Sequence, residues 1–306
     1  MMGQLIKRII KTAFPRVVIQ KLRILLSWLS SRLQILKTRR IFERAPDTPT
    51  YLQSEMLGAL QQRYPFLLDY EYDQKSLEDR GVDRAKKILR LPGATQATRF
   101  LELACWDGMV SCVLQRTGKD TTAIDNRSEG FDERAFREGV RLLQMNGAEL
   151  KFEDESFDFV FSYDAFEHFA EPEHVLREAI RVVRKGGHIY LVFGPLYMSP
   201  FGQHAYRSIT VPYCQFLFPK TVINHFANQK GLEPIDFNEV NGWSLEHFRG
   251  LWDRYSHVLK RVKYCETYDL SHLDLIRQYP SCFRSKTQLF ENLIVSEIEV
   301  LFQKMG

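Results

Sequence analysis

From residue 99 onward, short apolar runs alternate with amphipathic stretches. "RFLELAC" (residues 99–105) is a continuous apolar run of strand length with Glu102 as its one polar member. The next stretch, "GMVSCVLQRTG", puts Val110, Val113 and Leu114 on one helical face and ends on Gly118 as a stop. "TTAID", "GVRLLQMN", "FDFVFSY" and "HIYLVFG" predict strands two to five. Between the last two lies "EPEHVLREAIRVVRKGG", which predicts a helix with Pro172 in its first turn, acidic residues at its start, basic ones at its end and Gly186 and Gly187 beyond it. "PKTVINHFANQKG" then predicts a helix, "LEPIDFNEV" a sixth strand and "NLIVSEIEVLFQK" the last. Three helical stretches are expected between 243 and 290, among them "LEHFRGLWDRYSHVLKRV". Strands of this kind separated by helices predict an α/β fold with a doubly wound, mostly parallel seven-stranded sheet. Ligands of such sheets bind outside the carboxyl ends of the strands, beside the first one, which is where "ELACWDG" falls.

The pattern upstream is different. Residues 52–92 read as helical and stop at "LPG", and the two prolines of "RAPDTPTY" (44–51) mark a linker. The expected organisation is a basic amphipathic helical tail over 1–43, a helical extension over 44–96, and the α/β domain over 97–306, with 243–290 as a helical insertion able to act as a lid.

Charge sharpens the picture of the tail. Residues 1–42 hold ten Lys/Arg and no Asp or Glu, so the net charge of +4 divides into a basic tail and a body of −6. The charges alternate with aliphatic residues and Trp28, and the longest charge-free run, "ILLSWLSS", is far short of the ~20 apolar residues that span a bilayer. Three readings follow: an interfacial helix on an anionic membrane surface, a helix packed on the body, or an organelle-targeting sequence. The acidic body argues against nucleic acid as a partner. Five dispersed cysteines, with no CxxC pair and no Cys/His cluster of metal-ligand spacing, read as reduced core thiols of a cytoplasmic protein, peripheral on the inner face of a membrane if the tail binds lipid; no metal is expected.

A dinucleotide fold would need GxGxxG after the first strand, so that the backbone can approach a pyrophosphate. This turn offers Ala104, Trp106 and Gly108. A nucleoside ligand without phosphates relaxes the demand, and S-adenosylmethionine is one. "FLELACWDG", "TTAID" and above all "LKFEDESFDFVFSYDAFEHFAEPEHVLREAIRVVRKGGHIYLVFGP" (150–195) resemble the class I S-adenosylmethionine-dependent methyltransferases, in the branch that includes the ubiquinone/menaquinone-biosynthesis enzymes. The resemblance implies the Rossmann-like sheet of that family and assigns roles by position. Glu102 would lie near the cofactor's methionine amino group, Ala104, Cys105, Trp106 and Gly108 would form the turn beneath the cofactor, and Asp125 would accept both ribose hydroxyls. Asn146, followed by Gly147, would stand where the family reads the adenine amino group, with Phe152 nearby. Ser162 and Tyr163 would border the cofactor, and Asp164 the acceptor. Glu167 and His168 match the family's E-H pair, read here as structural. Alternatives remain at several positions: Glu102 as a locally paired strand residue, Asp125 as a helix cap, Asn146 as a turn residue. The family prefers glycine at 104 and 106, and Trp106 either caps the site or marks a rearranged loop.

A sulfonium makes its methyl group electrophilic, so catalysis is chiefly alignment for in-line displacement, with a base needed where the acceptor loses a proton. The aromatic, Pro- and Gly-rich segment 194–219 lies where acceptor loops of this fold lie. In it His204 is the candidate general base, with a packing histidine as the alternative, and Tyr206 and Arg207 are the candidate acceptor ligands. Trp252, Tyr255 and His257 read equally well as core. The expected function is methyl transfer to a small-molecule, saccharide or lipid-linked acceptor, at oxygen. C- or O-methylation of a quinone or phenol is the alternative, and an inactive interaction module at a membrane surface is the reading from another class.

Overall fold

A computed structural model describes residues 16–65 and 72–306 of the 306. The first fifteen residues of the expected tail and residues 66–71 of the expected helical extension lie outside the described residues. The chain forms two compact units, one from residues 1–51 with 270–290, the other from 52–269 with 291–306.

In the first unit, helix α1 (Arg16–Glu43) is accompanied by two short helices of the second segment, α10 (Leu273–Gln278) and α11 (Pro280–Arg284). Phe42 is fully buried with its ring 5.7 Å from that of Phe290. Arg277 donates to Gln34 Oε1 and Thr38 Oγ1, each at 3.0 Å. The opposite face of α1 is uncovered: Leu25, Leu26, Trp28, Leu29, Leu33 and Leu36 are all exposed. Among the described residues no helix is long and apolar enough to cross a membrane.

The second unit is built on a seven-stranded sheet in the order β3-β2-β1-β4-β5-β7-β6. Its strands are β1 (Arg99–Leu103), β2 (Asp120–Asp125), β3 (Arg141–Gln144), β4 (Phe157–Tyr163), β5 (Val183–Phe193), β6 (Leu259–Tyr268) and β7 (Val295–Lys304). The first five are parallel, and β7 runs antiparallel to both β5 and β6. The helices in chain order are α2 (Glu55–Arg63), α3 (Gln74–Leu89), α4 (Met109–Arg116), α5 (Glu133–Arg137), α6 (Pro172–Val182), α7 (Cys214–Leu217), α8 (Lys220–Gln229) and α9 (Leu245–Arg254).

Strand alternation divides the core into two layers. Leu101, Leu103, Val160, Ile189 and Leu191 pack against Val175, Leu176, Ala179 and Val182 of α6 and Phe248, Leu251 and Trp252 of α9. On the other face Phe100, Phe159, Phe161, Tyr190 and Leu301 pack against Ala85 and Ile88 of α3 and Val110 and Leu114 of α4.

The fold is the one the alternation predicts, with N-terminal helices and a helical insertion before the last strand, and two details differ. Residues 232–240 form no strand, and the sixth strand is "LKRVKYCETY", inside the segment expected to be helical. That strand is the sheet edge, and its Lys and Arg side chains point to solvent, as suits an edge that must not pair further. Four of the five cysteines are buried and free, as expected of core thiols, whereas Cys265 on this edge strand is exposed. Trp252 is a core residue.

Candidate active site

Two of the four carboxyl ends that gather at the switch point, those of β1 and β4, lead into backbone that L-residues rarely adopt. Ala104 (φ 53°), Trp106 (φ 47°) and Gly108 (φ 75°) follow β1, and Asp164 (φ 47°) follows β4. His204 (φ 56°) lies in the loop after β5. Left-handed non-glycine residues cost free energy and concentrate at functional sites. Gly108 is needed twice over, since a Cβ there would sit 2.7 Å from Leu142 Cδ2. Ala104 and Trp106 occupy left-handed positions without that freedom. Ala104→Gly should therefore raise unfolding stability by about 0.5–1 kcal/mol, the steric relief exceeding the added chain entropy. The midpoint of urea unfolding is the measure, and a lower midpoint would show that the Cβ contacts outweigh the strain.

The rest of the turn is fastened from several sides. Glu102 is buried in β1 and its Oε2 accepts from Ser111 N at 3.1 Å and Ser111 Oγ at 2.6 Å. Burial outweighs those bonds and pushes its carboxyl up to about 8. Cys105 is buried, its N donates to Ile124 O at 2.9 Å, and desolvation holds its thiol protonated. Trp106 is 41% exposed; its indole meets Tyr72 edge-on, with centroids 5.1 Å apart. It also approaches Gly130 so closely that a Cβ there would lie 3.0 Å from the ring. The tryptophan thus stands at the rim of the turn.

At the end of β2, Asp125 is buried and accepts one backbone N–H per oxygen, from Trp106 at 2.9 Å to Oδ2 and from Arg127 at 3.1 Å to Oδ1. Each carboxylate oxygen retains a lone pair, which is what a vicinal diol requires. Beyond β3, Asn146 Oδ1 accepts from Ala148 N at 3.0 Å, the geometry of an Asx turn, with Gly147 beside it. Phe152 packs edge-on against Phe157 at 5.0 Å. In β4, Ser162 is buried and donates to Leu103 O at 3.0 Å, tying the two central strands together where they end. Tyr163 lies beneath the Arg84 guanidinium, 4.9 Å from its ring centroid, and the same arginine of α3 pairs with Asp164. Arg80, one turn earlier, reaches Asp107 at 3.8 Å. Neither arginine announces itself in the sequence, because the helical reading of α3 does not say that this face covers the turn.

The loop after β5 completes the arrangement. His204 Nε2 lies 3.0 Å from Pro195 O, and a carbonyl only accepts, so Nε2 carries the proton and Nδ1 the lone pair. Burial pushes this imidazole down to about 4, so it is neutral at pH 7. Its ring stands edge-on to His168 at 4.7 Å, and His168 Nδ1 lies 2.7 Å from Glu239 O, leaving the lone pair on its Nε2. Glu167 is fully buried, takes Gly194 N at 3.0 Å on Oε1, and keeps Oε2 without a partner among the described residues. Desolvation raises its carboxyl well above the usual range. One donor atom from each of Glu167, His168 and His204 lies within 4.8 Å of the others, a group that could hold a cation. Residues 36 positions apart meet here because β4 and β5 are neighbours in the sheet, a juxtaposition that separate readings of the E-H pair and the loop histidine do not anticipate. Tyr206 lies 6.1 Å from His204, ring to ring. Arg207 is exposed and donates to Tyr72 Oη at 2.9 Å.

A methyltransferase-domain family matches residues 101–191, the stretch from β1 into β5. The chain is 27% identical over 188 residues to the ubiquinone biosynthesis O-methyltransferase of Bordetella avium, covering 54% of this chain and 75% of that one. It is 31% identical over 145 residues to the 27-O-demethylrifamycin SV methyltransferase of Amycolatopsis mediterranei, covering 44% and 53%. Among solved structures, an S-adenosylmethionine-dependent methyltransferase from Methanosarcina mazei aligns over 68% of this chain and 92% of its own, at 15% identity and a TM-score of 0.42. The buried Asp125 carboxylate with its spare lone pairs, and a turn too poor in glycine for a pyrophosphate, fit a ligand with a ribose and no phosphates. Residues 101–191 form a methyltransferase domain of the class I fold, and the chain is an S-adenosylmethionine-dependent methyltransferase.

Proposed function

We propose that the methyl group goes to an oxygen of a saccharide or lipid-linked acceptor held under the loop 194–219, with His204 as the base. The observation that carries this reading is the state of His204: neutral, its tautomer fixed by Pro195 O, its Nδ1 lone pair free of that bond, and its backbone held in a left-handed conformation. S-adenosylmethionine supplies an electrophilic methyl group. Asp125 would hold its ribose, Glu102 would face its ammonium, Asn146 with Gly147 would flank its adenine, and Ser162, Tyr163 and the turn 104–108 would line the remainder. Asp164, Tyr206 and Arg207 would contact the acceptor. Nδ1 of His204 would accept the proton that the acceptor hydroxyl gives up when its oxygen receives the methyl group. Methylation of a quinone or phenol is the second reading, favoured by the name of the Bordetella avium relative.

The pH dependence of kcat/KM tests the base. The active form is the neutral imidazole, so activity is lost as pH falls through its pKa. With that pKa near 4, the acidic limb should lie well below the 6.5 of an ordinary histidine. A limb centred at 6.5 would contradict the assignment.

The tail supports a lipid-linked acceptor. The uncovered face of α1, from Leu25 to Leu36, is bordered by exposed Arg32, Lys37 and Arg40, and Arg32 lies over Trp28 at 4.2 Å. An apolar stripe flanked by cations suits an anionic bilayer surface. The full chain should float with phosphatidylglycerol vesicles and stay behind with phosphatidylcholine. Combined serine substitution of Trp28, Leu29 and Leu33 should weaken recovery about tenfold or more. Equal recovery of both proteins would remove the membrane from this account.

A further inference from the structure

Beside His204 the acceptor loop encloses a polar pit. A cavity of about 10 Å³ is lined by Gln203, Gln215, Phe201 and Tyr206, among others. Gln203 is 1% exposed, yet neither of its amide atoms has a hydrogen-bond partner among the described residues. Gln215 holds its Nε2 on Tyr197 O at 2.7 Å, and its Oε1 is left unpartnered. Ser199 Oγ and Thr210 Oγ1, in the same loop, are buried and unpartnered too. Five of the nine orphaned buried side-chain atoms among the described residues therefore belong to residues 199–215. Folding tolerates such groups poorly, because each has given up water without replacement. The loop is nevertheless well fastened. Gln61 of α2 donates to Ser208 O at 3.1 Å and accepts from Thr210 N at 2.9 Å, and Tyr213 Oη donates to Leu293 O at 2.7 Å. Loose packing of the loop does not explain the orphans.

We infer that this pit receives the hydroxyl next to the one that is methylated, and that Gln203 and Gln215 thereby select an acceptor with neighbouring hydroxyls, a neutral saccharide, over a quinone or a phenol without one. The inference rests on the oxygen-methylation reading above. Three features of the pit favour a hydroxyl. A cavity of this size holds one water or one hydroxyl group. The unpartnered atoms of the residues that line it are an amide donor and two amide acceptors, Gln203 Nε2 and Oε1 and Gln215 Oε1, and none is charged; a hydroxyl both donates and accepts and can pair with such a set, which a quinone oxygen cannot. Phe201 and Tyr206 line the same space, so the carbon that bears the hydroxyl meets apolar side chains at the pit. Tyr206, whose ring is 6.1 Å from that of His204, connects the pit to the base. A hydroxyl anchored by Gln203 would thus leave a neighbouring hydroxyl to present to Nδ1.

The test uses the full chain with saturating S-adenosylmethionine and reads release of S-adenosylhomocysteine. The acceptors are methyl glucoside, methyl mannoside and methyl rhamnoside on one side, phenol and hydroquinone, which have no neighbouring hydroxyl, on the other. At least one pyranoside should be methylated. Gln203→Met should raise its KM about tenfold or more, because a pocket built to pair a hydroxyl loses that bond, with kcat and cofactor affinity nearly unchanged. The melting temperature should hold or rise, since an unpaired amide has been removed from the interior. Gln215→Met, on the other wall, should act in the same direction, and cofactor binding certifies the fold of both variants. An unchanged KM in both variants overturns the inference; a fall in melting temperature with KM unchanged does so as well, and identifies the pit as the seat of a structural water. Turnover of the phenols alone overturns it and leaves oxygen methylation standing. Cofactor binding with no turnover of either class overturns it together with the oxygen reading.

Discussion

His204→Asn should lower kcat by about 10²–10⁴-fold while leaving affinity for S-adenosylmethionine nearly unchanged. Asparagine is the informative replacement because it tolerates the left-handed backbone that position 204 adopts, so the loop keeps its course while the base is lost. The size of the effect follows from the role: without Nδ1 the acceptor proton must leave to solvent from a half-buried site. His168 stands close by, with its own lone pair on Nε2, so a residual rate at the upper end of that range would point to partial substitution by the neighbouring imidazole. Retention of full activity would return His204 to a packing role.

Asp125→Ala should weaken cofactor binding by about 100-fold or more. Two hydrogen bonds from ribose hydroxyls to a buried carboxylate contribute about 1.5–3 kcal/mol each, and each 1.4 kcal/mol is a factor of ten. The same substitution frees the backbone N–H groups of Trp106 and Arg127, so the turn loses its fastening at one end of the site. Asp125→Asn separates the two effects: it retains one oxygen for the turn and gives up the charge, and should fall between wild type and alanine. Binding of wild-type strength in Asp125→Ala would mean that the ribose is held elsewhere.

The alternation of strands and helices was legible in the sequence because strands buried on both faces leave apolar runs between amphipathic helices. β1, β4 and β5 are of that kind, whereas β2 is buried with two threonines in it. β6 was not legible for the opposite reason. An edge strand with Arg261, Lys263 and Glu266 along it has no apolar period to show, and it follows α9 so closely that the helical pattern runs on into it. Within the candidate site, the carboxylates Glu102 and Asp125 could be placed from the resemblance, and they lie next to and at the carboxyl ends of β1 and β2. The strain at Ala104 and Trp106 could not, because positive φ is legible only when glycine occupies it. Contacts made across the sheet ends were equally hidden, among them Arg84 with Asp164 and His168 with His204. Some motif residues proved to be joints. Asp158 of "FDFVFSY" is opposed by burial, yet the hydrogen bonds it accepts from Arg99 and Thr98 hold its carboxyl well below the usual range. Arg184, in the "RKGG" stretch, donates to it at 2.8 Å, so this part of the pattern marks the amino ends of the strands rather than the chemistry.

The most direct test is calorimetric titration of the wild-type chain with S-adenosylmethionine and with S-adenosylhomocysteine. A turn that holds the nucleoside through Asp125 should give saturable one-to-one binding of both ligands, with a rise in melting temperature that follows ligand concentration. A folded protein that shows neither heat nor stabilisation would mean that Trp106 and its neighbours close the carboxyl end of β1, and the account of the site would fail.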